Sequence, residues 1–196
     1  MTLHYRAARL DDTETLAALF HQASCGMADF LLNDLFDGLN CNELIKMAIA
    51  DENAPMSYCA HIVAEQVNQV IGAINYYPAE SHQLPDTVHS LIPAHKIERF
   101  VDFYTIPLEN SLYLHSIATT ATQQRQRIAT GLYEHLQAIA TTQGYTSISA
   151  HAWLDNTAAL QFFQQRGFTL HHTIDIALDP AFTYQSPIAL LHSPPL

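Results

Sequence analysis

Apolar positions along this 196-residue chain switch between two periods, and the switches mark out its elements. From Ser111 to Thr119 the pattern alternates, with Leu112, Leu114, Ser116 and Ala118 on one face and Tyr113, His115 and Ile117 on the other. That alternation predicts a strand with a largely apolar side. Thr119 to Gln126 is polar. From Arg127 the period becomes helical, with Ile128, Leu132, Leu136 and Ile139 on one stripe and Gly144 as the stop. Tyr145 to Leu154 alternates again, placing Ile148, Ala150, Ala152 and Leu154 on one face. It reads as the next strand, parallel to the first after a crossover helix. Asp155 or Asn156 is a natural N-cap for a helix lined by Ala159, Phe162 and Phe163, which Gly167 closes. Phe168 to Leu178 returns as a further strand.

Strand, polar turn and helix N-terminus together form an anion-binding geometry. Unpaired backbone N–H groups and the helix dipole favour a phosphate there, and Ala129, Thr130 and Gly131 are small enough to let it approach. Arg125 and Arg127 add cationic side chains. Read from the loop alone, an ordinary turn with solvated arginines explains the same residues.

Two patterns in series carry more. Gln124-x-x-Arg127-x-Ala129 is followed by Asn156-x-x-Ala159-x-x-Phe162-Phe163-x-x-x-Gly167-Phe168. In this order the chain resembles the GCN5-related N-acetyltransferase (GNAT) family, which pairs an Arg/Gln-x-x-Gly-x-Gly/Ala pyrophosphate loop with an Asn-x-x-Ala-x-x-x-Tyr-x-x-x-Gly-Phe segment. The resemblance extends outward. His4 to Leu10 is similar to the family's opening strand, and Asp11 and Glu14 suggest a capping box for its first helix, with Leu16, Leu19, Phe20 and Ala23 as the buried stripe. Ile62–Glu65 and Val70–Ile74, joined by Gln66 to Gln69, resemble the hairpin that follows, and Pro187–His192 the last strand.

The resemblance implies an α/β fold over residues 1–196 as a single domain: a mixed, mostly antiparallel twisted sheet flanked by helices, with a splayed central parallel strand pair. It implies acetyl-CoA as co-substrate, held by Ile117, Ala118, Thr119, Gln124, Arg125, Gln126, Arg127, Ile128, Ala129, Thr130, Asn156, Ala159, Phe162 and Phe163. It also implies acetyl transfer to a primary amine of a small molecule or protein by direct attack in a ternary complex. A backbone N–H near Ile117 is the implied oxyanion donor. His115 is the candidate base, two residues before Ile117 and so on the same face by simple alternation. Its ordinary pKa of about 6.5 suits proton uptake at neutral pH. Arylalkylamine N-acetyltransferases look similar on this strand, carrying histidines at the positions of Tyr113 and His115. With twelve histidines in the chain, a structural, hydrogen-bonded His115 is an equally plain reading.

Two positions depart from the family pattern. Arg127 stands where the loop has its first glycine. Phe163 stands where many members carry a general-acid tyrosine, and phenylalanine has no proton to give. Tyr113 or water is the candidate substitute. The departures keep an alternative open, a non-catalytic acyl-CoA-binding GNAT domain acting as sensor or interaction module. A longer acyl chain or a hydroxyl acceptor is a third option.

Residues 77–110 form a long insertion between the third and fourth strands. Within it, Ile92–Tyr104 predicts a short helix with Ile97, Phe100, Val101 and Tyr104 as its apolar stripe. It serves either as a lid and acceptor-site wall or as a surface helix packed on its own apolar side. Met27 to Ile49 is the opposite wall, with Asp29, Asp34 and Asp37 available for a cation.

Composition refines this picture. The formal net charge is −11 with eight Lys and Arg, which argues against a nucleic-acid partner and suits cationic amines. No stretch is long and apolar enough to span a bilayer, and Met1-Thr-Leu-His4 lacks a signal-peptide pattern. Cys25, Cys41 and Cys59 form no Cys-x-x-Cys pair and read as reduced thiols of a cytoplasmic protein. His151, His171 and His172 belong to no metal-ligand set, and no His-Glu-x-x-His occurs, so no metal is expected. An exposed last strand offers an edge for a homodimer.

Overall fold

The computed structural model describes residues 3–84, 86–105 and 110–196. Seven strands, β1 (Leu3–Ala7), β2 (His61–Gln66), β3 (Gln69–Pro78), β4 (Ser111–Thr119), β5 (Ser147–Trp153), β6 (Thr169–Ile174) and β7 (Ile188–His192), form one sheet. Their order is β1-β2-β3-β4-β5-β7-β6. Neighbours are antiparallel except β4 and β5, the parallel pair that the crossover helix predicted. The helices are α1 (Thr13–Ala23), α2 (Met27–Leu32), α3 (Cys41–Ala50), α4 (Asp86–Leu91), α5 (Ala94–Ile97), α6 (Val101–Thr105), α7 (Ile128–Thr142) and α8 (Thr157–Gln164).

The sheet buries both faces. On one, Leu132, Leu136 and Ala140 of α7 cover Ile62, Ile74, Leu112, Leu114, Ile148 and Ala150, and Phe163 of α8 extends this layer. On the other, Leu16 and Leu19 of α1 and Ile45 and Ile49 of α3 cover Val63 and Ala73. Consecutive strand residues such as Ala73 and Ile74 thus serve opposite cores, as a strand repeat of two requires. The β2–β3 turn places Val67 and Asn68 at φ 53° and 59°, the paired left-handed conformation of a two-residue hairpin.

The structure corrects four expectations. Glu14 closes no capping box with Asp11. Asp12 accepts from Arg9 N–H at 2.7 Å and pairs with Arg6, while Glu14 pairs with Lys46. The strand after Gly167 ends at Ile174, not at Leu178. The last strand is not an edge, because β7 inserts between β5 and β6 and leaves β6 outermost.

The fourth correction concerns residues 92–104, which form α5, a 3₁₀ turn and α6 in succession. Three-residue spacing therefore sets the buried side. Ile97, Phe100 and Phe103 point inward against Trp153, Ile174, Phe182 and Ile188, while Val101 is exposed. Arg99 ties this segment to Asp179 at 3.2 Å, and Lys96 donates to Asn33 O at 3.1 Å.

Candidate active site

The site begins where two strands part. β4 pairs with β5 only from Ser111 to Leu114, whereas β3 stays beside β4 as far as Thr119. Beyond Leu114, one side of β4 has no ladder partner. Thr120 N–H donates to Ile71 O at 2.9 Å, on the β3 side. Since successive N–H groups alternate in direction, Ala118 also points toward β3, and Ile117 and Thr119 point into the gap.

A β-bulge lies at the fork. Asn75 opposes Ser116 and Tyr76 opposes Leu114, so His115 is an extra residue in β4. Simple alternation would put His115 and Ile117 on one face; the bulge separates them. Ile117 packs with Leu112 and Leu114 on the α7 side. The His115 ring lies on the α1 side, 5.2 Å from both Phe20 and Tyr77 between centroids. A backbone N–H lies in the plane of the sheet and a side chain stands off it, so the Ile117 N–H and the His115 imidazole belong to adjacent parts of β4 at the fork.

The imidazole is held by hydrogen bonds. His115 Nδ1 is 2.9 Å from Asn75 Oδ1. Asn75 is fully buried, and its Nδ2 donates to Ala60 O at 2.9 Å. That carbonyl fixes which way the amide faces. The amide oxygen must then accept from His115 Nδ1–H, which leaves the Nε2 lone pair free as a proton acceptor. Burial, together with the neighbouring His82 and His61, pushes His115 well below the usual imidazole pKa. The ring is thus neutral at physiological pH, and a weaker base than its ordinary pKa would suggest.

Around it stands a buried set of neutral polar groups. Burial lowers His61 and His82 to about 4 and pushes His151 down as well. His82 Nε2–H donates to Phe103 O at 3.0 Å, which makes its Nδ1 the acceptor for the Tyr77 hydroxyl at 3.1 Å. Tyr113 is 1% exposed, and its hydroxyl lies 2.8 Å from His151 Nδ1. Burial raises the Tyr113 pKa strongly. Tyr113 also lies on the sheet face opposite Phe163.

The second half of the site is the start of α7. Gln124, Arg125, Gln126 and Arg127 are all exposed there. Arg125 and Arg127 adopt left-handed backbone, at φ 62° and 61°. The position where the family loop has glycine therefore does require positive φ, and Arg127 meets it at some cost in strain. Left-handed residues at a helix start turn successive N–H groups toward one point, a nest for an anion. Ile128 packs against the strand end, since a Cβ on Gly72 would meet both the Ile128 side chain and Ala118 O. Ala118, Thr119 and Ile128 are thereby brought together. Ala129 and Thr130 continue the first turn.

On α8, Asn156 caps the helix by accepting from Ala159 N–H at 3.1 Å. Phe163 is buried, and Phe162 lies partly buried beside it. Two participants escaped the sequence reading. Arg166 donates to Phe162 O and to Thr130 Oγ1, both at 2.7 Å, with its guanidinium 3.6 Å from the Phe162 ring centroid. It links α8 to the first turn of α7, and its spacing of four residues from Phe162 was the available signal. The other is Asn75, a lone polar residue inside the apolar run Val70–Tyr77.

Comparison with known proteins agrees with this fold. Residues 28–168 match the profile of the acetyltransferase (GNAT) family. An N-acetyltransferase from Staphylococcus aureus Mu50 superposes with a TM-score of 0.68 at 22% identity, over 96% of this chain and 99% of that one. Diaminobutyrate acetyltransferase EctA from Paenibacillus lautus, solved with L-2,4-diaminobutyric acid and coenzyme A, superposes at 0.59 with 14% identity, covering 98% and 95%. The PaiA N-acetyltransferase from Thermoplasma acidophilum, in complex with coenzyme A, gives 0.56 at 11% identity over 99% of each chain. No curated protein sequence matches the chain. No helix among the described residues is long and apolar enough to cross a membrane.

Proposed function

Because this chain belongs to the GNAT acetyltransferase family, we propose that it is an acetyl-CoA dependent N-acetyltransferase that acetylates a primary amine by direct attack. The observation that carries the reading is His115, whose Nε2 lone pair is left free by Asn75 beside the unpaired N–H of Ile117. Acetyl-CoA supplies the activated acetyl thioester. The start of α7 suits its pyrophosphate, with left-handed Arg125 and Arg127 shaping the loop and two cationic side chains exposed there.

Each residue has a separate task. An amine attacks only when neutral, and His115 Nε2 takes up the proton released as the new C–N bond forms. The Ile117 N–H donates toward the oxygen on which negative charge develops. Phe163 gives no proton, and Tyr113 is buried against His151, so the sulfur departs as thiolate. That is tolerable for a group whose ordinary pKa is about 8.5. Residues 94–105, clasped to Asn33 and Asp179, wall the acceptor side, and the acidic chain favours a cationic acceptor.

The test is direct. Thermal unfolding with millimolar acetyl-CoA should show a clear upward shift, since ligand at 100 times its dissociation constant stabilises by about 2.7 kcal/mol. A panel of primary amines should then release free thiol. Binding without turnover across the panel would move the protein to the non-catalytic, acyl-CoA-sensing reading. No shift at all would remove both.

A further inference from the structure

Three helices bring three different donor atoms together away from the fork. His21 lies on the last turn of α1, Asp29 on the first turn of α2, and Cys41 is the first residue of α3. One donor atom from each lies within 4.8 Å of the other two. His21 Nε2 and Asp29 Oδ2 are 2.8 Å apart. The other Asp29 oxygen accepts from Asn33 Nδ2 at 3.4 Å, an outer contact that orients the carboxylate.

The fold builds this convergence deliberately. α1 and α2 meet in a tight corner at Cys25 and Gly26, with φ of 53° and 88°. A Cβ on Gly26 would fall 1.9 Å from Ala181 O, so only glycine fits. The corner folds α2 back and sets Asp29 against His21. Cys41 is 4% exposed and packs in the α1–α3 core, whereas His21 and Asp29 are about one-third open to solvent. The cluster therefore has a fixed thiol floor and an entry side.

We infer that His21, Asp29 and Cys41 form a binding site for a zinc-type divalent cation that pins α1, α2 and α3 together. One imidazole nitrogen, one carboxylate oxygen and one thiolate make a mixed, borderline-soft donor set, which selects zinc-like ions over magnesium or calcium. Carboxylate and thiolate together balance the two positive charges. Tetrahedral coordination at about 2.0–2.3 Å places donors within roughly 4 Å of one another, so the present spacing needs only a small contraction. Three protein donors leave a fourth position for water. Binding breaks the Cys41 S–H bond, forms the metal–sulfur bond and releases the proton to solvent. The site is separate from acetyl transfer, yet it touches the acceptor wall: Phe20, beside His21 on α1, lies against the His115 ring.

The site is tested with the full chain and cobalt(II) as a spectroscopic probe for zinc. Titration should give one tightly bound ion per chain with a thiolate-to-cobalt charge-transfer band, displaced by zinc. Cys41→Ser should abolish the band, and His21→Gln should weaken binding at least tenfold, while Cys59→Ser, at an exposed thiol outside the cluster, leaves both unchanged. His21 is partly exposed, so His21→Gln keeps the test valid if Cys41→Ser fails to fold. Cobalt bound without the band, or a band that survives Cys41→Ser, would overturn the assignment. So would an affinity that His21→Gln leaves unaltered. None of these readouts depends on acetyl transfer.

Discussion

The open side of β4 and the start of α7 both offer unpaired backbone N–H groups, yet they arise differently. At α7 the donors are free because every helix begins with unpaired N–H groups, and the arginines around them are exposed. At β4 they are free because β5 diverges after Leu114, and the side chains beside them are buried or half-buried, neutral and hydrogen-bonded to one another. The exposed end suits a phosphate, whose charge is held by dipoles and cations in water. The buried end suits a proton transfer, where fixed partners decide which nitrogen carries the proton. Local order makes the first, and long-range pairing makes the second.

Substitutions can separate the two ends. The largest expected effect is at the fork: His115→Ala should lower turnover by about 10²–10⁴-fold while acetyl-CoA affinity, read by titration, stays near wild type. Unchanged turnover would remove His115 as the base.

Acid should come next, because the polar set around the fork must stay neutral. His61 and His82 fall to about 4 in the folded protein, below the unfolded value near 6.5. The unfolded chain then binds more protons below pH 6.5. Their contribution is present above that pH and is lost as pH falls through about 4. Melting temperature should therefore drop between pH 6.5 and 4, and His82→Phe should flatten that slope. Asn75→Asp places an anion on the His115 Nδ1–H and raises the imidazole pKa. Its pH–rate profile should gain an acid limb nearer neutrality that the wild type lacks.

Effects at the phosphate end should be smaller. Arg127→Glu should weaken acetyl-CoA on the order of tenfold, with the difference shrinking in high salt, and leave turnover at saturation intact. An affinity that holds would show the side chain pointing away from the phosphates. Arg127→Gly relieves a left-handed backbone worth roughly 1–2 kcal/mol but loosens the unfolded chain by about 0.4–1 kcal/mol. The expected net gain is roughly 0–1.6 kcal/mol, a melting shift of a few degrees, while loss of one cation should weaken acetyl-CoA less than Arg127→Glu does.

The sequence by itself determined the elements whose signals are local. The strand over Ser111–Thr119, the core of the strand read over Tyr145–Leu154, the helical stripe from Ile128, the Asn156 cap and the Gly167 stop all stand in the structure, although simple alternation within β4 holds only up to the bulge at His115. So do the parallel β4–β5 pair and the family they point to. Local periodicity misjudged residues 92–104, where a 3₁₀ turn changed which residues face inward, and it made β7 an edge when pairing puts it inside. Only the tertiary structure decided how the candidate site is wired. The bulge that parts His115 from Ile117 exists because β3 runs alongside β4, and no spacing within β4 records it. The tautomer of His115 depends on Asn75, forty residues away in the chain, and on Ala60 beyond it. A helix or a strand is specified by neighbours a few residues apart, whereas a buried proton's position is specified by whichever acceptor folding brings within 3 Å.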